Sequence, residues 1–181
     1  EAFKNAVSII KSLLGENAFK RYYKGNDDNQ NGYWEKNRFN TSLFDILMDS
    51  FARADKNIVF NNLDAIREAY LNLMTNDLEF IEAIEIGTSE ERKVMRRFEK
   101  WRATLNQILH DKSKQPRCFS FTLKKELFDN NPVCALCNNQ IQSIDDAAVD
   151  HIEQYWLGGK TIPENARLTH RFCNFSRPRK E

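Results

Sequence analysis

The chain has 181 residues, 27 of them basic and 26 acidic, which gives a formal net charge of +1. This length leaves room for one large or two small domains, each with a hydrophobic core. The balanced charge excludes a global attraction to a polyanion, so any affinity for nucleic acid must be local. We also expect no association with a membrane, because no run of about eighteen apolar residues occurs.

Apolar residues at helical spacing predict a series of helices in residues 1–115. The predicted elements are a helix over 2–14, a turn or second helix over 15–24, a loop over 26–32, a helical stripe from about 37 and another after Asn61-Asn62 as its cap. Because the chain opens on Glu1 inside the first predicted helix, we expect it to be a piece of a longer protein.

Two cap patterns predict the next two helices. Asn76 and Glu79 have the spacing of a capping box for a short helix that ends at Gly87, and Thr88 and Glu91 have the same spacing before the longest helix. No residue pattern before position 115 suggests catalysis. Residues 1–115 are therefore predicted to be an all-helical module.

Residues 116–181 are predicted to form a second domain, which begins after a polar linker over 111–116 that contains a proline. Its predicted elements are a short helix over 122–129, a strand over 147–152, a turn at Gly158-Gly159 and a closing helix from about 169 to 177. The predicted fold class is mainly α, with the helical module first and a smaller second domain after it.

Two ligand pairs predict a structural Zn²⁺ site in the second domain. Cys134 and Cys137 form one pair, and His170 and Cys173 repeat the separation thirty-three positions after Cys137. Four protein ligands close the coordination shell, so this zinc has no position for substrate. The alternative is two free thiols and an incidental Cys–His pair. Only Cys118 lies outside the set, which favours a reducing compartment and a cytoplasmic location.

A second pattern lies among these ligands: Asn165 follows His151 by fourteen positions, and Asn174 follows Asn165 by nine. With the zinc pairs around it, this pattern resembles the HNH (ββα-metal) endonucleases. The resemblance implies that His151 is the general base acting on a water and that Asn165 holds the hairpin loop. It also implies that Asp150 and Asn174 bind one divalent cation, Mg²⁺ or Mn²⁺. Many members have a proline where Gln154 stands here.

Elementary chemistry independently supports these roles. An imidazole with a pKa of about 6.5 can take a proton from water near neutral pH. A cation with two protein ligands keeps positions for phosphate oxygens. Adjacent residues of a strand point to opposite faces, so Asp150 and His151 can serve one site only if the strand bends or the cation sits at its edge. Taken alone, Asp150-His151 would more simply be a surface ionic pair.

Two further features of the second domain are candidates for DNA contact. The first is a group of basic residues near the last motif: Arg167, Arg171, Arg177, Arg179 and Lys180. The alternative for such a group is a solvated tail. The second is the pair Tyr155 and Trp156 in the hairpin loop, for which the alternatives are stacking on DNA and packing within the zinc domain.

Three segments of the helical module, SLFDILM at 42–48, DAIRE at 64–68 and RFEKW at 97–101, carry a second resemblance. They look like the helical portion of restriction and anti-phage defence proteins of the GmrSD type. That family has a ParB/sulfiredoxin-like nucleotide-binding domain in its N-terminal half. The resemblance implies an upstream sensor domain in the full-length protein.

The sequence as a whole predicts a metal-dependent DNA endonuclease or nickase. The alternative is a non-catalytic zinc-containing module that binds nucleic acid or protein. Asp150, His151 and Asn174 favour the nuclease, because a scaffold needs no carboxylate, base and amide at these intervals.

Overall fold

The computed structural model describes residues 1–110 and 117–178. Regular structure in these residues is mostly helical, which confirms the predicted fold class. The described residues divide into two compact units, one made of 1–22 and 34–110 and the other of 23–33 and 117–178. None of the described helices combines the length and the apolar character that a bilayer-spanning segment needs.

The first unit is a helical bundle. Its helices are α1 (Ala2–Leu14), α2 (Thr41–Ala52), α3 (Lys56–Asn61), α4 (Leu63–Asn76), α5 (Leu78–Glu85) and α6 (Glu91–Leu109). A 3₁₀ turn over Gly15–Asn17 follows α1. The possible second helix over 15–24 is therefore only this turn, and the chain continues into the two-residue strand β1 (Tyr22–Tyr23), which pairs with β2 (Tyr33–Trp34).

Two helices begin after a different residue from the predicted N-cap. Asp77, not Asn76, caps α5, because its side chain accepts the backbone N–H of Phe80 at 3.0 Å. Glu90, not Thr88, directly precedes α6 and makes no side-chain cap bond. An N-cap must sit immediately before the first helical residue to reach the free N–H groups. The short helix α3 was not predicted.

The core of the first unit is built from the apolar stripes of its helices. Trp101 on α6 is fully buried, and its ring contacts those of Phe51 at 6.1 Å and Tyr70 at 5.5 Å in edge-to-face geometry. Burial of side chains of this size stabilises a fold by about 1.5–3 kcal/mol each. Burial of these stripes therefore stabilises the unit.

The second unit has a ββα core preceded by a helix. Its elements are α7 (Phe121–Asn130), β3 (Ala147–His151), β4 (Ala166–His170) and α8 (Arg171–Ser176), with 3₁₀ turns over Tyr155–Leu157 and Pro163–Asn165. The strands pair antiparallel, so that His151 lies opposite Ala166 and Ala147 lies opposite His170. Both α7 and α8 pack against these strands. His151 is the last residue of β3, and β4 runs directly into α8.

The segment over residues 23–33, predicted to belong to the helical module, packs within the second unit. Asn31 donates from Nδ2 to the Gln140 carbonyl at 3.2 Å and accepts the Gln142 N–H at 2.8 Å. Asn139 donates to Gln30 Oε1 at 2.8 Å. These bonds attach the segment to residues 139–142, which follow the Cys134–Cys137 turn.

Candidate active site and metal centre

The four predicted zinc ligands lie together. The ligand atoms of Cys134, Cys137, His170 and Cys173 are all within 4.8 Å of one another. His170 Nδ1 is 3.4 Å from Cys137 Sγ and 3.8 Å from Cys173 Sγ. A tight turn holds the first pair, closed by the Asn138 N–H on the Cys134 carbonyl at 2.9 Å. The β4–α8 junction holds the second pair.

The groups around this cluster suit a bound cation. Burial raises the pKa of the Cys134 thiol, but backbone N–H bonds from Cys137, His170 and Leu136 outweigh it and lower the pKa overall. His170 Nε2 lies 3.3 Å from the Gln140 carbonyl, so a proton on Nε2 leaves Nδ1 free as a ligand. Three thiolates and one imidazole nitrogen fit a closed tetrahedral zinc site.

His151 sits at the end of β3 with its ring held on three sides. Its Nε2 lies 2.9 Å from the Thr161 hydroxyl oxygen. The Phe119 ring packs at 4.4 Å between centroids, and the Tyr155 ring approaches edge-on at 5.6 Å. His151 is the last residue of β3, the strand that also carries Asp150.

The surroundings of His151 favour a neutral imidazole. Burial is the largest effect and lowers the pKa of His151; Asp150 raises it, and the positive charges of Arg117 and Arg177 lower it again. The net direction is below the ordinary value. At neutral pH the ring therefore keeps a lone pair that can accept a proton.

Asp150 is buried and bound by two guanidinium groups. Arg167 donates to its Oδ2 from Nε at 2.8 Å, with Nη2 at 2.7 Å, and Arg177 donates to the same oxygen at 2.7 Å. Arg177 also donates to the carbonyls of His151 at 2.7 Å and Ile152 at 3.0 Å. These bonds compensate the buried carboxylate and tie it to the end of β3. Both guanidinium groups reach the Oδ2 oxygen of this carboxylate.

Asn165 joins the two ends of the hairpin loop. Its Oδ1 accepts the Glu153 N–H at 2.7 Å, and its Nδ2 donates to the carbonyls of Glu153 at 3.0 Å and Lys160 at 2.9 Å. Gly159 allows this closure, because a Cβ there would lie 1.9 Å from the Glu153 carbonyl oxygen. Asn174 is half-buried on α8, the helix that packs on both strands. Its pairing with Asp150 as a cation site stays a prediction.

Residues 134–177 match the family model described as HNH endonuclease. This part of the chain is an HNH domain. The family implies nuclease-type activity with metal binding, and the Cys/His cluster fits the zinc site of such a domain. No curated protein and no solved structure gives a significant match to the chain.

The three described arginines that were predicted to contact DNA all bind groups of the protein itself. Arg171 is buried and donates to the Asp145 carbonyl at 2.6 Å, so it is better explained as a structural residue than as a phosphate contact. Arg167 and Arg177 bind Asp150. The other two predicted contacts, Arg179 and Lys180, lie outside the described residues.

The two loop aromatics have different surroundings. Tyr155 packs against His151, and the Arg117 guanidinium lies 5.7 Å from the centre of its ring. Trp156 is 54% exposed. Tyr155 thus packs within the domain, as one of the two alternatives predicted. Trp156 has the surface exposure that a contact with a DNA base would need.

Sequence reasoning missed three residues that surround His151. Arg117 and Phe119 directly follow the predicted linker, and Thr161 lies in the hairpin loop after the Gly-Gly turn. A basic and an aromatic residue beside a linker gave a weak signal. No local pattern distinguished Thr161.

Proposed function

We propose that this protein is a metal-dependent DNA endonuclease or nickase whose HNH domain hydrolyses phosphodiester bonds. The carrying observation is His151, an imidazole with a lowered pKa held at the end of β3 beside the buried carboxylate of Asp150. A binding scaffold gains nothing from a confined, neutral base next to a paired carboxylate.

In the proposed mechanism His151 takes a proton from the attacking water. The neutral ring is the competent form, and its burial keeps that form populated near pH 7. Asn165 holds the loop that follows the base, and Arg167 and Arg177 hold Asp150 in place. A divalent cation, Mg²⁺ or Mn²⁺, held by Asp150 and Asn174 would supply charge stabilisation at the phosphate and at the leaving oxygen.

The Cys134, Cys137, His170 and Cys173 cluster has a structural role in this proposal. Four donors fill a tetrahedral shell, so a Zn²⁺ bound there would have no position for water or phosphate. Its contribution would be to hold the Cys134–Cys137 turn against the β4–α8 junction. His151 ends β3, the strand that pairs with β4, and Asn174 lies on α8 directly after the predicted ligand Cys173.

We further infer a role in restriction or anti-phage defence, in the cytoplasm and under an upstream nucleotide-binding sensor of the same protein. This part rests on the resemblance of segments 42–48, 64–68 and 97–101 to GmrSD-type proteins. Cells that express the full-length protein should reduce the plating of a susceptible phage. The His151→Ala form should lose that protection at equal expression.

The test of the nuclease proposal is cleavage of supercoiled plasmid with Mg²⁺ or Mn²⁺. His151→Ala should lower the rate by about 10²–10⁴-fold, because a general base is lost. His110→Ala is the matched control, since His110 is exposed at the end of α6 in the other unit, and should cut normally. A His151→Ala protein that cuts at the wild-type rate would contradict the proposed mechanism. A wild-type protein that binds DNA but never cuts it would favour the binding-module alternative.

A metal exchange experiment separates the two proposed sites. Brief EDTA treatment should abolish cleavage, and added Mg²⁺ or Mn²⁺ should restore it, because a cation with two protein ligands exchanges readily. Elemental analysis of the treated protein should still find about one zinc per chain. Restoration by Zn²⁺ alone would contradict the two-site proposal.

A further inference from the structure

The proposed cation site carries more positive than negative charge. Of its two proposed ligands only Asp150 is charged, because Asn174 is a neutral amide, and the guanidinium groups of Arg167 and Arg177 both bind the Asp150 carboxylate. We propose that these two arginines keep a divalent cation weakly bound in the free protein, so that the cation and DNA bind cooperatively. The DNA phosphate then supplies the missing negative charge. This inference rests on the proposed nuclease function and concerns how its two ligands depend on each other.

The three charged side chains are shielded from water. The Asp150 side chain is 9% exposed, that of Arg177 is 11% exposed and that of Arg167 is 23% exposed. Arg167 Nη2 and Arg177 Nη1 each lie 2.7 Å from Asp150 Oδ2. Partly buried charges are screened much less than charges in water, and a dication feels each guanidinium twice as strongly as a single charge does. The repulsion therefore acts directly on a cation at Asp150.

The backbone keeps both arginines beside the carboxylate. Arg167 lies directly opposite Asp150 in the pairing of β3 with β4. Arg177 also donates to the carbonyls of His151 at 2.7 Å and Ile152 at 3.0 Å. A cation that binds Asp150 thus meets guanidinium groups that are held by the strands as well as by the carboxylate itself.

Neighbouring charges do not restore the balance. Asp146 precedes the other end of β3, four residues before the proposed ligand, which corresponds to about 13 Å along a strand. Glu153 is exposed, so water screens its charge. Arg117 adds a further positive charge, since its guanidinium lies 5.7 Å from the centre of the Tyr155 ring, which contacts His151. These surroundings favour an anion and disfavour an isolated cation.

A bound DNA strand changes this balance. Each phosphodiester brings one negative charge, and its oxygens can fill the positions that two protein ligands leave open on the cation. If DNA raises the affinity for the cation by some factor, the cation raises the affinity for DNA by the same factor. The arginines thus make each ligand depend on the other.

Electron paramagnetic resonance of Mn²⁺ tests this coupling on the intact, zinc-loaded chain in its His151→Ala form, which does not consume the DNA. Mn²⁺ should bind the free protein weakly. A saturating duplex of about 20 base pairs should raise the affinity about tenfold or more, after correction for Mn²⁺ bound by the duplex alone. Asp150→Asn in the same background measures the Mn²⁺ that binds elsewhere on the protein.

Substitutions at position 167 test whether charge is the cause, because Arg177 also holds two backbone carbonyls. Arg167→Gln should raise the Mn²⁺ affinity of the free protein about tenfold and shrink the effect of DNA. Arg167→Lys keeps the charge and should behave like its parent. Lys125→Gln is the matched control, because Lys125 is an exposed base on α7 of the same unit. A zinc content of about one per chain checks that each variant is folded.

Two results would overturn the inference. The first is an equal Mn²⁺ affinity of the parent protein with and without DNA, which needs no change at position 167. The second is an Arg167→Gln affinity equal to that of Lys125→Gln or of Arg167→Lys. Neither result would touch the nuclease proposal, which fails instead if the wild-type protein does not cut plasmid with Mn²⁺.

Discussion

The two units of this protein are stabilised in different ways. The helical unit buries a continuous apolar cluster that includes Leu47, Phe51, Tyr70 and Trp101. The HNH unit has a far smaller cluster in the described residues, made of Cys134, Ile141, Ala147 and Leu168. One of these four is itself a predicted metal ligand. The comparison teaches that a segment too small for a large apolar core can rely on a coordinated metal instead.

Both units also bury polar residues, and those of the helical unit include Arg21, Lys93 and Arg97. The HNH unit buries a group of charged and polar side chains around its strands, namely Asp145, Asp146, Asp150, Gln154, Thr169, His170 and Arg171. Several of them are bonded to backbone or to each other, as Asp150 is to Arg177. Buried polar networks specify a single geometry when their members are satisfied. The strands of the HNH unit are thus held by polar bonds as well as by a small apolar cluster.

Loss of a metal ligand should have the largest effect, and it should destabilise one unit and not the other. Cys137→Ser should unfold residues 117–178 while leaving the helical unit folded, because structural zinc contributes about 10–16 kcal/mol of apparent binding energy to folding. Hydrogen exchange should show the loss of protection in the HNH unit alone. Cys118→Ser, outside the cluster, should behave as wild type. Unchanged protection in Cys137→Ser would contradict the zinc assignment.

Truncation in the apolar core should have the opposite distribution. Phe51→Ala should lower the free energy of unfolding of the helical unit by about 3–5 kcal/mol, because a fully buried ring leaves a cavity. Zinc content should stay at about one per chain. Phe3→Ala is the control, since that ring is 66% exposed. A loss of zinc in Phe51→Ala would show that the two units are not independent in stability.

The pH dependence of cleavage should report the environment of His151. Because burial lowers its pKa, kcat should rise with pH through a midpoint below the ordinary value of about 6.5 and level off by pH 7. Arg117→Gln removes a positive charge that lowers this pKa, so the midpoint should move upward. Arg92→Gln, an exposed arginine of the helical unit, should leave the profile unchanged. A downward shift in Arg117→Gln would contradict the electrostatic argument.

The smallest predicted effect concerns the segment over residues 23–33. Asn31 and His170 bind the same Gln140 carbonyl, so Asn31→Ala should loosen the support of one metal ligand. Zinc should be lost to a competing chelator roughly two- to tenfold faster, as expected for one exposed hydrogen bond. Asn72→Ala, exposed on α4, is the control. Equal rates in both variants would make residues 23–33 irrelevant to the metal site.

Local patterns in the sequence were sufficient for several parts of this structure. The metal cluster could be predicted because each ligand pair lies within one turn, so spacing alone brings two donors together. The helices α1, α2 and α6 could be predicted from their apolar stripes. Caps were less predictable: several polar residues precede α5, and only the backbone conformation at Asp77 decides which one reaches a free N–H.

The sequence by itself therefore determined the helical class of the first unit, the four residues that cluster as candidate metal ligands and the spacing of His151, Asn165 and Asn174. Only the tertiary structure decided what surrounds His151, how Asp150 is paired, and that residues 23–33 pack with the HNH unit. The physical reason is separation along the chain. Asp150 meets Arg177, and Asn31 meets Gln140, through strand register and loop packing, which no local spacing encodes.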